Sequence, residues 1–356
     1  MLRLPAIYAF LTLFLFISLT SCQKEELFAP EVRHDFWLKN AGSEMPVTVS
    51  GNTASKTFLL FLHGGPNGSM LEGKHFNSTF FEPLEEKYAV VYWDQRHSGL
   101  SRNSKRPETA TIEEMVDDLE QLVQIIQFRY GEDIDLYLVG ISWGGYYGFS
   151  YLLENDNQSN IKGFINIAGI INANENQQQI IQSIQTVGAE QLAAGNSVEQ
   201  WTDLLADVIQ EQPDSFVSDD NRRIQTYTSR AEQLLARAGV TTNTPSDSWY
   251  DAIFNDSYHP FTVLSNKELN PVINAQLYQQ PLNERLKEIE IPTKLIYGKY
   301  DVRTPLEANA LPVLEQISTP EFQKSLTTLD KSGHFILQSE PQLAAQAIVE
   351  FVEAMR

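Results

Sequence analysis

Gly140-Ile141-Ser142-Trp143-Gly144-Gly145 constrains this chain more than any other stretch. Ahead of it lies Asp135-Leu136-Tyr137-Leu138-Val139, an apolar run bounded by charge that reads as a buried parallel strand. Behind it, Tyr146 to Leu153 reads as a helix. A chain passing from strand to helix around one serine must turn so tightly that only small residues fit on either side. The turn lifts the Ser142 hydroxyl off the C-terminal edge of the sheet, beside a helix N-terminus whose first N–H groups have no partner within the helix.

The flanking sequence predicts the sheet such an elbow needs. Thr57 to Leu62 and Tyr88 to Trp93 are buried strands by composition and length. Thr111 to Tyr130 is an amphipathic helix, with Thr111 and Glu114 spaced as a capping box. Ile161 to Ile170 is a further strand. Strands alternating with helices imply a parallel sheet covered on both faces. The alternation stops from Asn172 to Lys287, where Gln- and Asn-rich helical stretches (Asn174 to Gln185, Val198 to Gln212, Ser229 to Ala238) replace it. That insertion reads as a helical cap, its amides as surface composition. The pattern resumes with strands at Ile291 to Gly298 and Ser325 to Leu329. A closing helix follows from Pro341 to Met355, with Leu343, Ala347, Ile348, Phe351 and Val352 on its apolar face. The expected division is therefore a core of 34–171 and 288–356 around a cap of 172–287.

The 356-residue chain is long enough for a sizeable core, and 42% hydrophobic with 20% charged residues is an ordinary globular composition. A formal charge of -20 argues against nucleic acid and against anionic membrane surfaces as partners. Met1-Leu2-Arg3 is a short basic start, and Leu4 to Leu19 is almost wholly apolar yet short of the ~20 residues a spanning helix needs. Leu19-Thr20-Ser21-Cys22 then resembles the bacterial lipobox, and Cys22 is the only cysteine. The expectation is a signal peptide over 1–21, lipidation of Cys22 and a tether over 22–33. Gln23-Lys24-Glu25-Glu26 resembles the export tag of Bacteroidetes surface lipoproteins. The chain is thus expected outside the cytoplasm, on the outer membrane, facing the periplasm or the surface. With a single cysteine its fold has to stand without disulfides.

A serine hydroxyl becomes a nucleophile only with an adjacent base that is itself oriented by an acid. In open α/β sheets such groups sit on loops beyond the strands' C-terminal ends. Of the six histidines, only His334 follows a strand in the second half, beside Gly333. For the acid, Asp301 ends its own strand and is preferred to Asp330, which shares the loop of His334. Acyl transfer also needs donors for a developing oxyanion, each worth ~10²–10³ in rate. The N–H after the nucleophile is that of Trp143. The second should come from Gly64 or Gly65 in His63-Gly64-Gly65-Pro66-Asn67-Gly68, where no Cβ screens the backbone.

His63-Gly64-Gly65-Pro66, Asp94-Gln95-Arg96, the elbow, Asp301 and Ser332-Gly333-His334 together resemble the α/β-hydrolase superfamily. In particular they resemble its proline iminopeptidase branch, serine aminopeptidases that release an N-terminal proline. The resemblance covers residues 55 to 170 and 288 to 356. It implies a mostly parallel, doubly wound α/β-hydrolase sheet with an inserted helical cap, an acyl-enzyme mechanism and no cofactor or metal. Its substrates would be short peptides or other small molecules, with a carboxylesterase or amidase as the alternative. A non-catalytic binding lipoprotein is the remote one. The chain departs from the branch at Asn67 and His97 and lacks its Trp-x-x-Trp-Glu stretch; the cap offers Trp201 and Trp249 instead. An aminopeptidase must hold a free ammonium. Glu190, Glu199, Glu211 and Asp251 are available carboxylates, each read as surface charge.

Overall fold

The computed structural model describes residues 33–66, 68–102, 110–211, 218–242 and 270–356. Eight strands form one sheet: β1 (His34–Asn40), β2 (Ser43–Gly51), β3 (Thr57–Leu62), β4 (Ala89–Trp93), β5 (Asp135–Ile141), β6 (Gly163–Ile167), β7 (Thr293–Gly298) and β8 (Lys324–Leu329). Their order is β1-β2-β4-β3-β5-β6-β7-β8. β2 pairs antiparallel with both β1 and β4, and every other pair is parallel. The helices are α1 (Met70–Phe76), α2 (Ser78–Lys87), α3 (Ile112–Tyr130), α4 (Trp143–Leu152), α5 (Ala173–Ala193), α6 (Val198–Val208), α7 (Ser218–Arg237), α8 (Asn270–Gln279), α9 (Leu306–Gln316), α10 (Ile336–Ser339) and α11 (Pro341–Ala354).

Period-two alternation sorts the strand side chains between two cores. Phe58, Leu60, Leu62, Leu136 and Leu138 face one layer with α3, α4 and α9. Leu59, Phe61, Tyr137 and Val139 face the other, with α2 and α11. Strand order turns back at β3: β4 lies on one side of it and β5 on the other. The loops after β3 and β5 therefore leave the sheet side by side and open a crevice at their C-terminal ends. The first carries Gly64 and Gly65, the second Ser142.

The β1–β2 hairpin is an addition to the expected strands: its buried Leu38 stands beside Trp37, and Met45, Val47 and Val49 alternate with Pro46 and Thr48. On α11 the buried face is Ala344, Ala345, Ala347, Ile348, Phe351 and Val352. Leu343, expected on that face, is 50% exposed, because Ala344 stands at i−4 and i−7 from Ile348 and Phe351. At α3, Thr111 accepts from Glu114 N–H at 3.1 Å as a cap should, but the Glu114 carboxylate reaches Arg96 instead, at 3.2 Å.

The helices between β6 and β7 have a core of their own. Ile180 and Ile184 of α5, Trp201 and Leu204 of α6 and Leu234 and Leu235 of α7 pack together, joined by Val302 from the turn after β7. The amide-rich reading of this region needs correcting, since Asn176, Gln177 and Gln191 are buried. Asn176 accepts from Asn309 Nδ2 at 2.7 Å and donates to the Arg303 carbonyl at 3.1 Å. Asn176 thus joins α5 to the turn after β7 and to α9, whereas Gln177 donates to the Tyr278 hydroxyl of α8 and Gln191 accepts from Asn196 at 2.9 Å.

Candidate active site

The elbow has the geometry its glycines require. Ser142 sits at φ 54°, ψ -115°, a backbone state costly for a residue with a Cβ, on the order of 1–3 kcal/mol. Ser142 N–H donates to Ile167 O and Gly145 N–H donates to Ser142 O, both at 2.9 Å. A Cβ on Gly144 would lie 2.1 Å from Leu62 O, and one on Gly140 2.3 Å from Gly144 O. No larger residue fits at either place.

The turn after β7 and the loop after β8 bring two more groups to this serine. His334 Nε2 lies 3.1 Å from Ser142 Oγ and its Nδ1 lies 3.0 Å from Asp301 Oδ2. A carboxylate only accepts, so Nδ1 carries the proton and Nε2 presents a lone pair to the hydroxyl. Asp301 is fixed in turn: its Oδ1 accepts from Arg303 N–H at 2.9 Å and from Thr304 N–H at 2.8 Å. The two loops are tied together by Tyr300 N–H to Ser332 O at 3.0 Å. Asp330 is exposed, whereas Asp301 is buried against the imidazole.

On the other flank, Gly64 lies against the serine; a Cβ there would be 3.4 Å from Ser142 Cβ and 4.0 Å from its Oγ. Gly65 follows at φ +125°, which glycine alone adopts readily. Trp143 opens α4, so its N–H belongs to the helix N-terminus. Its buried indole donates to Gln95 Oε1 at 3.3 Å and stacks on Tyr146. His63 is wholly buried, and Gln95 N–H donates to its Nε2 at 3.2 Å. Its Nδ1 then donates to Gly64 O at 2.8 Å, and burial pushes its pKa down to about 4. It is a neutral strut of the glycine loop.

Asp94-Gln95-Arg96 is structural throughout. Asp94 accepts from the N–H groups of Met70 (2.8 Å), Leu71 (3.2 Å) and Leu100 (2.8 Å) and from the Ser69 hydroxyl (2.9 Å). Arg96, also wholly buried, forks onto Asp118 of α3, Nη2 to Oδ1 at 2.6 Å.

The family description "alpha/beta hydrolase fold" matches residues 57–341, which spans every element named above from β3 to the start of α11. The chain belongs to that family. This hydrolase is 24% identical over 319 residues to "Probable aminopeptidase YbaC" of Bacillus subtilis (strain 168), covering 87% of this chain and 93% of that one. It is 25% identical over 310 residues to "Probable proline iminopeptidase" of Leptolyngbya boryana, covering 81% and 89%. Among solved structures it shares its fold with an esterase, EaEST, from Exiguobacterium antarcticum. The TM-score is 0.54 at 17% identity, over 90% of this chain and 100% of that one.

Two features of the hydrolase's site went unread in the sequence. Thr304 places its hydroxyl among Asp301, His334 and Ala168. Arg303 clasps Glu232 of α7, Nη2 to Oε2 at 2.6 Å and Nε to Oε1 at 3.1 Å. Glu232, Leu235 and Thr241 line a hollow with Tyr300, His334 and Phe335. The segment Asp301-Val302-Arg303-Thr304-Pro305, a carboxylate followed by donors two and three residues on, marks the Asp301 turn but carries no sign of Glu232. Of the carboxylates considered from sequence, Glu190 and Glu199 are exposed, and Glu211 pairs with Arg223 at 3.1 Å. Trp201 is buried in the core of the inserted helices. Cys22, Asn67, Trp249 and Asp251 lie outside the described residues.

Proposed function

We propose that this hydrolase works through an acyl-enzyme, with Ser142 as nucleophile, His334 as general base and then acid, and Asp301 as the group that orients the imidazole. The observation that carries the reading is His334 standing between Ser142 Oγ at 3.1 Å and Asp301 Oδ2 at 3.0 Å. As Oγ attacks a carbonyl carbon, its proton passes to His334 Nε2, and Asp301 faces the resulting imidazolium. The carbonyl oxygen becomes an oxyanion, held by Trp143 N–H and by the N–H of Gly64 or Gly65. Such donors cost no reorganisation at the moment of reaction. The imidazolium protonates the leaving amine or alkoxide. Water, activated by the same ring, then releases the acyl group and restores the serine.

The substrate we assign is a short peptide with a free N-terminus, in the manner of a proline iminopeptidase. The aminopeptidase and iminopeptidase names of relatives aligned over most of both chains support it. One observation favours a carboxylesterase or amidase as the second reading. Glu232, the carboxylate lining the hollow beside His334, is already held at both oxygens by Arg303. A comparison of proline, alanine and leucine aminoacyl amides, the same amides with the amine blocked, and short acyl esters separates the two. Turnover of the free proline amide that disappears on blocking is expected; ester turnover indifferent to an amine would refute the peptidase reading.

We further propose that the chain is exported and lipidated at Cys22, which would place the hydrolase on the outer membrane. The basic start, the apolar stretch and the lone cysteine support this. Metabolic labelling with a fatty-acid analogue should mark the wild type and not Cys22→Ala; equal labelling would refute it.

A further inference from the structure

The hydroxyl of Thr304 touches three parts of the site at once. It lies 2.8 Å from Asp301 Oδ2, 3.1 Å from His334 Nδ1 and 2.9 Å from Ala168 O. The side chain is buried, so these contacts have no competition from bulk water. A threonine just before a helix ordinarily spends its oxygen capping that helix. Here α9 begins with Pro305 at its N-cap and has no side-chain cap, so the hydroxyl is used elsewhere. Ala168 sits at φ +47° in the turn that follows Ile167, whose carbonyl holds Ser142 N–H. One oxygen therefore joins the acid, the base and the turn behind the nucleophile.

We propose that Thr304 is a positioning residue that acts through His334. Its hydroxyl holds the ring in line with Ser142 and sets how strongly Asp301 attracts the proton on Nδ1. The inference rests on the reading of Ser142 and His334 given above. A hydroxyl has a single proton for its two acceptors, Asp301 Oδ2 and Ala168 O. A hydrogen bond to an ionised carboxylate is the stronger one, so donation to Asp301 dominates. That donation satisfies part of the carboxylate's charge and weakens its hold on an imidazolium. The lone pairs of Oγ1 face Nδ1–H and give the ring a second, weaker acceptor that limits its rotation. The other charged and titratable groups around His334 are the Glu232–Arg303 pair, contributed by α7 and the Asp301 turn, and Tyr300.

The test measures the rate at which a fluorophosphonate labels Ser142, as a function of pH, in wild type, Thr304→Val and Thr304→Ser. The rate is normalised to the fraction of protein that can be labelled to completion. Thr304→Val keeps the shape and removes the oxygen. It should label roughly tenfold more slowly at neutral pH. Its acidic limb should move to higher pH by about half a unit, because an Asp301 freed of the donor holds the imidazolium more tightly. Thr304→Ser should restore both rate and limb. Should Thr304→Val not fold, Thr304→Ala carries the same expectations. A merely structural defect lowers the labelled fraction and leaves the limb in place. A limb that stays or moves to lower pH, or a serine variant as slow as the valine variant, overturns the proposal. A wild type that does not label at Ser142 overturns the underlying assignment instead.

Discussion

The two flanks of Ser142 are held by different parts of the molecule. On one flank, the loop of Gly64 and Gly65 is held by buried His63, which joins it to Gln95 after β4, where Asp94 and Arg96 are buried against the start of α1 and against α3. On the other flank, Asp301 and His334 sit on loops that lean against the inserted helices. Glu232 of α7 binds Arg303, and Thr242 N–H donates to Lys331 O at 3.1 Å. The glycine-loop flank is thus tied to the buried core. The Asp301–His334 flank also depends on how the insertion packs, and changes of substrate preference should arise there at small cost to the fold.

Breaking the core flank should be costly in proportion to what is buried. Gly144→Val forces a Cβ to within 2.1 Å of Leu62 O and should abolish soluble expression, a loss above about 4 kcal/mol. Arg96→Met strands the buried Asp118 carboxylate and should cost about 3–5 kcal/mol in urea unfolding. Arg96→Met with Asp118→Leu should recover most of it, since the charge then goes as well. His63 adds a pH dependence. Its folded pKa of about 4 lies below the usual 6.5, so the unfolded chain binds more protons between those values. Stability should therefore fall by up to about 3 kcal/mol as pH drops from 6.5 to 4, and change no further from this source below that. Melting curves of His63→Asn over that range should be correspondingly flatter. The insertion flank should yield the smallest effect on stability. Glu232→Gln should cost about 1 kcal/mol while altering the ratio of kcat/KM between substrates more than any change at Arg96 does. Equal sensitivity of both flanks would contradict the comparison.

The same contrast governs what could be read from the amino-acid sequence. The central strands β3, β4 and β5 are nearly continuous apolar runs, and glycines, prolines and charge mark their ends. β3 was bounded correctly at Thr57 and Leu62, and Ser142, Asp301 and His334 were brought together because each ends a strand or follows one. The β1–β2 hairpin was harder, because one half-exposed edge strand alternates weakly and has no motif. Glu232 was out of reach for a different reason. Its neighbour Arg303 lies far along the chain, and a lone glutamate on a helix of acidic and basic residues looks like solvated charge. Thr304 was hidden by its position, since a threonine before Pro305 reads as the entry to a helix. Asn176, taken for surface, is a buried bridge between α5 and Asn309 that no periodicity reveals.

The most direct measurement is the site and stoichiometry of fluorophosphonate labelling, read by intact mass and peptide mapping on wild type, Ser142→Ala and His334→Ala. One adduct per chain, on Ser142, absent from Ser142→Ala and slowed by orders of magnitude in His334→Ala, is the expected result. An unlabelled wild type, or an adduct that persists in Ser142→Ala, would contradict the assignment of nucleophile and base.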